Sequence, residues 1–221
     1  MLKAALKRLL PPAVRSPLRR VLEFVFADLE GTVVEKDVAA LEERDVAPAA
    51  SQWEILEVSA DNGSGLYLSG LCRKPGSLGT AKTQRYLRSG FRGVAALRNG
   101  QVVGSVWSVT KAESKLPWVH RDLKRLRVGL ADGEAYMFDM YIEPEHRGLA
   151  LSTSLFREAF RGLRARGLVK AKGYYVVDNL PALWMHRVLG YREVGRVRVR
   201  QILGLTWRYR YTPLNESATR S

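Results

Sequence analysis

The sequence predicts an α/β fold: a mixed, mostly antiparallel central sheet with helices on both faces. Two observations carry that expectation. First, the run FRGVAALRNGQVVGSVWSV has two β-rich halves joined by Asn99-Gly100, a pair able to take the positive φ angles of a tight hairpin turn. Second, the downstream apolar pattern changes period repeatedly. It reads as strand, helix, strand, helix and two closing strands, an order that places helices against a sheet.

Residues 1–31 mix Leu and Ala with Lys3, Lys7, Arg8, Arg15, Arg19 and Arg20, which reads as two short amphipathic helices broken at Pro11 and Pro12. Residues 32–50 alternate in charge and read as a connecting helix and linker. The stretch SQWEILEVSA alternates as a strand over 52–59. Residues 64–87, rich in glycine, predict one or two short helices with a loop near 74–79. After the hairpin, 110–133 is irregular and basic, and EAYMFDMYIEP predicts a long central strand ended by Pro144. A helix then runs to about Arg166, followed by a strand over 168–177 and a second helix over 181–188. YREVGRVRVRQ and QILGLTWRYRYT close the chain as alternating strands. The expected organisation is therefore cationic helices and linker over 1–50, an α/β domain over 51–212 and a disordered tail over 213–221.

The chain has 221 residues, enough for one sizeable core, with 46% hydrophobic and 26% charged residues. No apolar run reaches the roughly 20 residues a membrane-spanning helix needs. The early prolines interrupt any export signal. Cys72 is the single cysteine, so an internal disulfide and a cysteine-based metal site are both unexpected, and no metal is expected. The compartment that fits is a reducing cytoplasm. The formal net charge of +14 favours anionic partners. A cationic N-terminal segment could lie on an anionic membrane at its inner face; the plainer reading packs it on the protein with its charges solvated. Nucleic acid is the less favoured partner, although Arg196, Arg198 and Arg200 line one strand face where a phosphate backbone or a solvated surface would suit them. Trp207, Tyr209 and Tyr211 alternate similarly and are expected to pack on the sheet.

The segment MYIEPEHRGLALSTSLFREAF places Arg147, Gly148 and a row of small residues at the start of an amphipathic helix. A helix start leaves its first N–H groups unpaired and adds partial positive charge, so it can hold a diphosphate. An ordinary helix cap is the bland alternative. This segment resembles the acyl-coenzyme A motif of the GCN5-related N-acetyltransferases, in which Arg or Gln, two residues, Gly, one residue and Gly or Ala follow a central strand. Arg147 fits the first position, whereas Ala150 and Ser152 stand at the two small-residue positions. NLPALWMHRVLGY resembles the second signature of that family, with Asn179, Ala182, Leu189, Gly190 and Tyr191 in place. The resemblance implies a splayed central strand pair and acetyl-coenzyme A, or another acyl-coenzyme A, as cosubstrate. The pyrophosphate would be wrapped by Arg147, Gly148, Leu149, Ala150, Leu151 and Ser152. The pantetheine arm would pair with free backbone groups near Tyr141 and Ile142, and Asn179 belongs to the same binding set.

The family often has a Tyr four residues before the Gly of its second signature, where it protonates the leaving thiolate. His186 stands there. Trp184 reads as a wall of the acceptor pocket or as core. On strict alternation, Glu134, Tyr136, Phe138, Met140 and Ile142 share one face of the central strand, and Asp139, Tyr141 and Glu143 share the other. Asp139 is the carboxylate nearest the expected reaction centre and the candidate base. Three readings follow. One is an N-acyltransferase acting on a small-molecule or sugar amine. Another is an acyl- or aminoacyl-transferase of the same fold at a membrane surface. The third is a non-catalytic module binding an anionic partner.

Overall fold

A computed structural model describes residues 26–40, 53–61, 80–115, 121–203 and 205–214. Of the segment 1–31 expected as N-terminal helices, residues 1–25 lie outside the described residues, as do the loop near 74–79 and residues 215–221. Eight strands form one sheet: β1 (Phe26–Asp37), β2 (Glu54–Val58), β3 (Arg92–Arg98), β4 (Gln101–Thr110), β5 (Glu134–Ile142), β6 (Lys170–Val176), β7 (Arg192–Ile202) and β8 (Leu205–Pro213), in the order β2-β3-β4-β5-β6-β1-β7-β8. Every neighbouring pair is antiparallel except β5 and β6. The helices are α1 (Thr80–Arg88), α2 (Arg121–Leu126), α3 (Leu149–Ala165) and α4 (Leu180–Val188).

Leu151, Leu155, Phe156, Ala159, Phe160 and Leu163 recur at helical spacing along α3 and bury against Val94, Val106 and Met137. Met185 of α4 joins the same cluster. On the opposite face Tyr86 and Leu87 of α1 and Leu123 of α2 pack with Trp107, Val109, Tyr136 and Phe138. Helices therefore cover both faces. Asn99 and Gly100 take φ of 51° and 70°, so the β3–β4 turn is the one the sequence announced.

The amphipathic helix expected up to residue 31 and the linker expected over 32–50 are both corrected where they meet. Residues 26–37 form β1, inserted between β6 and β7, and the sheet therefore begins ahead of the boundary at residue 51. The mixed charge of this stretch reflects partnership. Glu35 pairs with Lys170 and Arg192, and Asp28 with Arg198 and Arg200, while Val33 and Val34 are buried. Of the aromatics in β8, two lie on the sheet: the Tyr209 hydroxyl donates to the Leu126 carbonyl at 2.9 Å, and the Tyr211 ring covers Gly195 with its hydroxyl donating to the Val194 carbonyl at 3.2 Å. Trp207 is 59% and Tyr211 44% exposed.

Strict alternation along β5 is also corrected. Tyr141 pairs with Ser105 and Phe138 with Trp107, so Asp139 and Met140 together oppose Val106. This is a β-bulge, and Asp139 takes φ of +50°, in the left-handed region that Asp tolerates better than most residues. Tyr136, Phe138 and Tyr141 consequently belong to the α1 side, whereas Met137, Met140 and Ile142 belong to the α3 side.

Candidate active site

The parallel pairing of β5 with β6 covers only Glu134↔Lys170, Ala135↔Ala171 and Tyr136↔Lys172. Past Tyr136 the two strands part. Each leg is held from outside: β5 stays paired to β4 as far as Ile142, and β6 to β1 as far as Val176. The bulge at Asp139 adds local twist to one leg, which accounts for the divergence. The result is a fork whose inner edges carry backbone groups with no strand beside them. Glu143 N–H donates to the Val103 carbonyl at 2.8 Å, so the preceding Ile142 carbonyl turns toward the fork. Tyr141 falls on the opposite phase, its carbonyl close to Gly104 of β4.

At the apex of the fork stands Gly173. A Cβ there would lie 3.6 Å from His186 Nε2 and 3.7 Å from the Met137 carbonyl oxygen, so these two groups meet across the glycine. His186 Nδ1 lies 2.7 Å from the Ala182 carbonyl, which can only accept, so Nδ1 carries the proton and Nε2 is bare. The ring is buried among Tyr191, Tyr175 and Phe156, with centroids 4.9, 5.6 and 6.5 Å away. Burial pushes the His186 pKa down, opposed by the Ala182 hydrogen bond, which leaves a neutral imidazole at neutral pH.

The mouth of the fork adjoins the start of α3. Gly148 is its N-cap residue, extended, and no side chain caps the helix. Chain neighbours apart, nothing among the described residues lies within 4 Å of a Cβ built on Gly148, so the approach is open on that side. The N–H groups of Leu149, Ala150 and Leu151 precede the first intrahelical bond, in which Ser152 N–H donates to the Gly148 carbonyl at 3.4 Å. Ser152 itself is buried, its hydroxyl donating back to the Gly148 carbonyl at 3.2 Å. Thr153 and Ser154 hydroxyls likewise donate to the Ala150 carbonyl, so these side chains serve the helix. Arg147 reaches across the mouth, its Nε donating to the Ile142 carbonyl at 3.2 Å. Asn179 accepts from Ala182 N–H at 3.2 Å and so caps α4.

Asp139 stands on the other face of the sheet from His186. Tyr86 donates its hydroxyl to Asp139 at 3.1 Å, and Lys82 Nζ lies 2.5 Å from the same oxygen. Burial, and then the Asp139 charge, raise the Tyr86 pKa far above the ordinary phenol range, so this donor keeps its proton. Tyr141 donates to the buried Glu143 at 3.4 Å nearby. Lys82 and Tyr86 were invisible in the sequence as site residues, because their link to Asp139 spans more than fifty positions and a bulge. Trp184 is not core: it is 60% exposed, with the Arg187 guanidinium over its ring.

A shallow recess beside Glu57, Arg92 and Arg166 sits at the C-terminal half of α3, along Ala159 and Gly162 and away from Gly148. It belongs to an ion network joining Glu113 with Arg92 and Arg166. The fork and the uncapped helix end are thus the one place among the described residues where open backbone donors, a bare imidazole and diverging strands converge.

Residues 71–191 match the acetyltransferase (GNAT) family model. The chain belongs to that family. Among solved structures, a tandem GNAT protein from the clavulanic acid biosynthesis pathway is 15% identical, over 86% of this chain and 59% of its own, at a TM-score of 0.54. A protein assigned to the GNAT family from Novosphingobium aromaticivorans is 15% identical, over 77% of this chain and 62% of its own, at 0.51. The glucosamine N-acetyltransferase region of a fungal multi-domain β-N-acetylglucosaminidase is 15% identical, over 92% of this chain and 23% of its own, at 0.51. At these identities the likeness is one of fold, and the chain spans less than two thirds of each of those proteins. A comparison with curated proteins finds no sequence match. No helix among the described residues is long and apolar enough to cross a membrane.

Proposed function

We propose that this GNAT chain transfers an acetyl or longer acyl group from coenzyme A directly to an amine, with a small-molecule or sugar amine as the acceptor class. The observation that carries the reading is the shared location of the strand fork and the uncapped start of α3. The donors suit the group: a pyrophosphate needs several N–H donors and a close approach, and Gly148 brings no side chain into that approach. Leu149, Ala150 and Leu151 would donate backbone N–H groups, and Arg147 would swing its guanidinium from the Ile142 carbonyl to a phosphate oxygen. The freed Ile142 carbonyl then accepts from an amide of the pantetheine arm. Acyl-coenzyme A supplies the activated carbonyl and a thiolate leaving group; everything else falls to the chain.

His186 and Asp139 divide the proton work in this reading. Asp139, held by Lys82 and Tyr86, keeps lone pairs for an incoming ammonium on the α1 side. His186 offers a bare Nε2 at the apex. It receives a proton from the attacking nitrogen and passes it to the departing sulfur, and a depressed pKa makes the imidazolium the stronger acid in that second step. The expected role of histidine as a donor thus becomes a relay.

The test is thiol release from acetyl-coenzyme A across a panel of small amines and amino sugars. Release that depends on an amine and yields the matching N-acetyl product supports the reading. Tight coenzyme binding with no product from any amine would overturn it in favour of a binding module.

A further inference from the structure

The far end of the sheet carries a surface that acyl transfer does not use. Ile202, at the end of β7, pairs across to Leu205 on β8 and to Phe26 on β1. Two residues back, Arg200 pairs with Arg208 and Asp28; two further back, Arg198 pairs with Arg210 and Glu30. Residues two apart on a strand point to one side, so a single face presents apolar Ile202 and Leu205 at the hairpin tip and two rows rich in arginine behind them. Successive rows are roughly 7 Å apart along the strands.

The tip is bare. Leu203 is 61% exposed, Leu205 76% and Trp207 59%. Trp207 is the extra residue of a bulge, since Arg200 pairs with Arg208 and Gln201 with Thr206, so its ring stands outside the regular ladder. Asp28 bonds both Arg198 and Arg200 at 3.1–3.2 Å, whereas Arg208 and Arg210 have no ion-pair partner among the described residues.

The geometry points to this hairpin as a docking device for an anionic lipid bilayer, with Ile202, Leu203, Leu205 and Trp207 entering the interface and the arginine rows meeting lipid phosphates. An interfacial element buries its apolar part roughly 5–10 Å deep, and one row spacing then brings Arg200 and Arg208 to headgroup level. Arginine stems cover apolar surface while their guanidinium groups stay with phosphate. A tryptophan at the boundary between apolar tip and charged rows suits the same interface. Two other occupants fit worse. A nucleic-acid backbone would contact the arginines and leave the apolar row in water. A second copy adding its β8 edge would set Arg208 and Arg210 against their own counterparts, and like charges across a ladder repel. Chain placement agrees as well: residues 1–25, with Lys3, Lys7, Arg8, Arg15, Arg19 and Arg20, enter β1 at Phe26, cross-strand from Ile202.

The test uses the full chain in co-sedimentation with phosphatidylcholine vesicles, with and without phosphatidylglycerol. Wild type sediments with the anionic vesicles alone, and less so as salt rises. Leu205→Glu/Trp207→Glu, at exposed positions that leave the thermal midpoint in place, weakens binding by about tenfold or more. Arg208→Gln/Arg210→Gln weakens it and flattens the salt dependence. Trp207→Phe still binds but loses most of the blue shift in tryptophan emission on vesicle addition. Wild type staying in the supernatant overturns the inference. Equal binding by the tip variant does the same, since the N-terminal segment alone would then suffice. Binding to an RNA duplex as tight as to vesicles, and untouched by the tip variant, assigns the arginines to nucleic acid and also overturns it.

Discussion

His186 donates its Nδ1–H to the Ala182 carbonyl at 2.7 Å and turns a bare Nε2 toward Gly173, where the Met137 carbonyl also arrives from the other strand. One intrahelical bond thereby fixes the tautomer of the one imidazole at the fork's apex. Replacing His186 by Gln keeps a polar side chain but removes the titrating nitrogen. The expected outcome is a fall in kcat of roughly 10²–10⁴ with acetyl-coenzyme A affinity changed less than about threefold. Steady-state kinetics together with calorimetry check it, and an unchanged kcat removes histidine from the mechanism.

The same burial makes His186 a source of acid sensitivity. Its folded pKa lies below the unfolded value of 6.5, so the unfolded chain binds more protons as pH falls. The stability contributed by the neutral ring is whole above pH 6.5 and is lost as pH drops through that value toward the folded pKa. Thermal melts at pH 7.5 and 5.5 should differ more for wild type than for His186→Phe. A difference equal in both assigns the acid sensitivity to groups other than His186.

Asp139 is shared between Lys82, Tyr86 and, on the proposed chemistry, the amine. Asp139→Asn should lower kcat/KM for the amine by about 10² or more while acetyl-coenzyme A binds as before. Lys82→Met moves the other way in one respect: it removes the resident cation competing for the carboxylate, and KM for the amine falls. The cost to stability is small, about 0–1 kcal/mol, because this ion pair is partly exposed. If neither variant alters the amine parameters, Asp139 is only an anchor for α1.

Gly93 packs under Trp107, where a Cβ would sit 2.8 Å from the indole and 3.0 Å from the Val106 carbonyl oxygen. Trp107 is 3% exposed and wedged against Tyr86, so it has no room to yield. Gly93→Ala should destabilise the chain by about 1–3 kcal/mol in denaturant unfolding. A neutral result means the β3–β4 sheet is looser than this packing implies.

Where the sequence was legible, the signals were local and strong. Asn99-Gly100, the Pro144 stop and the buried series from Leu151 to Leu163 each depend on a few neighbouring residues, and each element stands where its signal put it. β1 was not legible because its carboxylates find partners more than a hundred residues away, so a strand in the middle of the sheet carried the charge pattern of a solvated helix. The bulge at Asp139 was hidden for a related reason. Alternation assumes one residue opposite one, and nothing local in EAYMFDMYI marks where two oppose Val106. Ser152 illustrates a third limit: a hydroxyl at a helix start can face a ligand or its own backbone, and here it bonds Gly148.

The most direct measurement is isothermal titration of acetyl-coenzyme A into wild type and into Ala150→Glu. Ala150 is exposed in the first turn of α3, where a carboxylate favours the helix dipole but opposes a pyrophosphate. The account predicts measurable binding by wild type, and a loss of about tenfold or more in the variant with an equal or higher thermal midpoint. Wild type giving no heat at any cosubstrate concentration, or the variant binding as tightly as wild type, would contradict it.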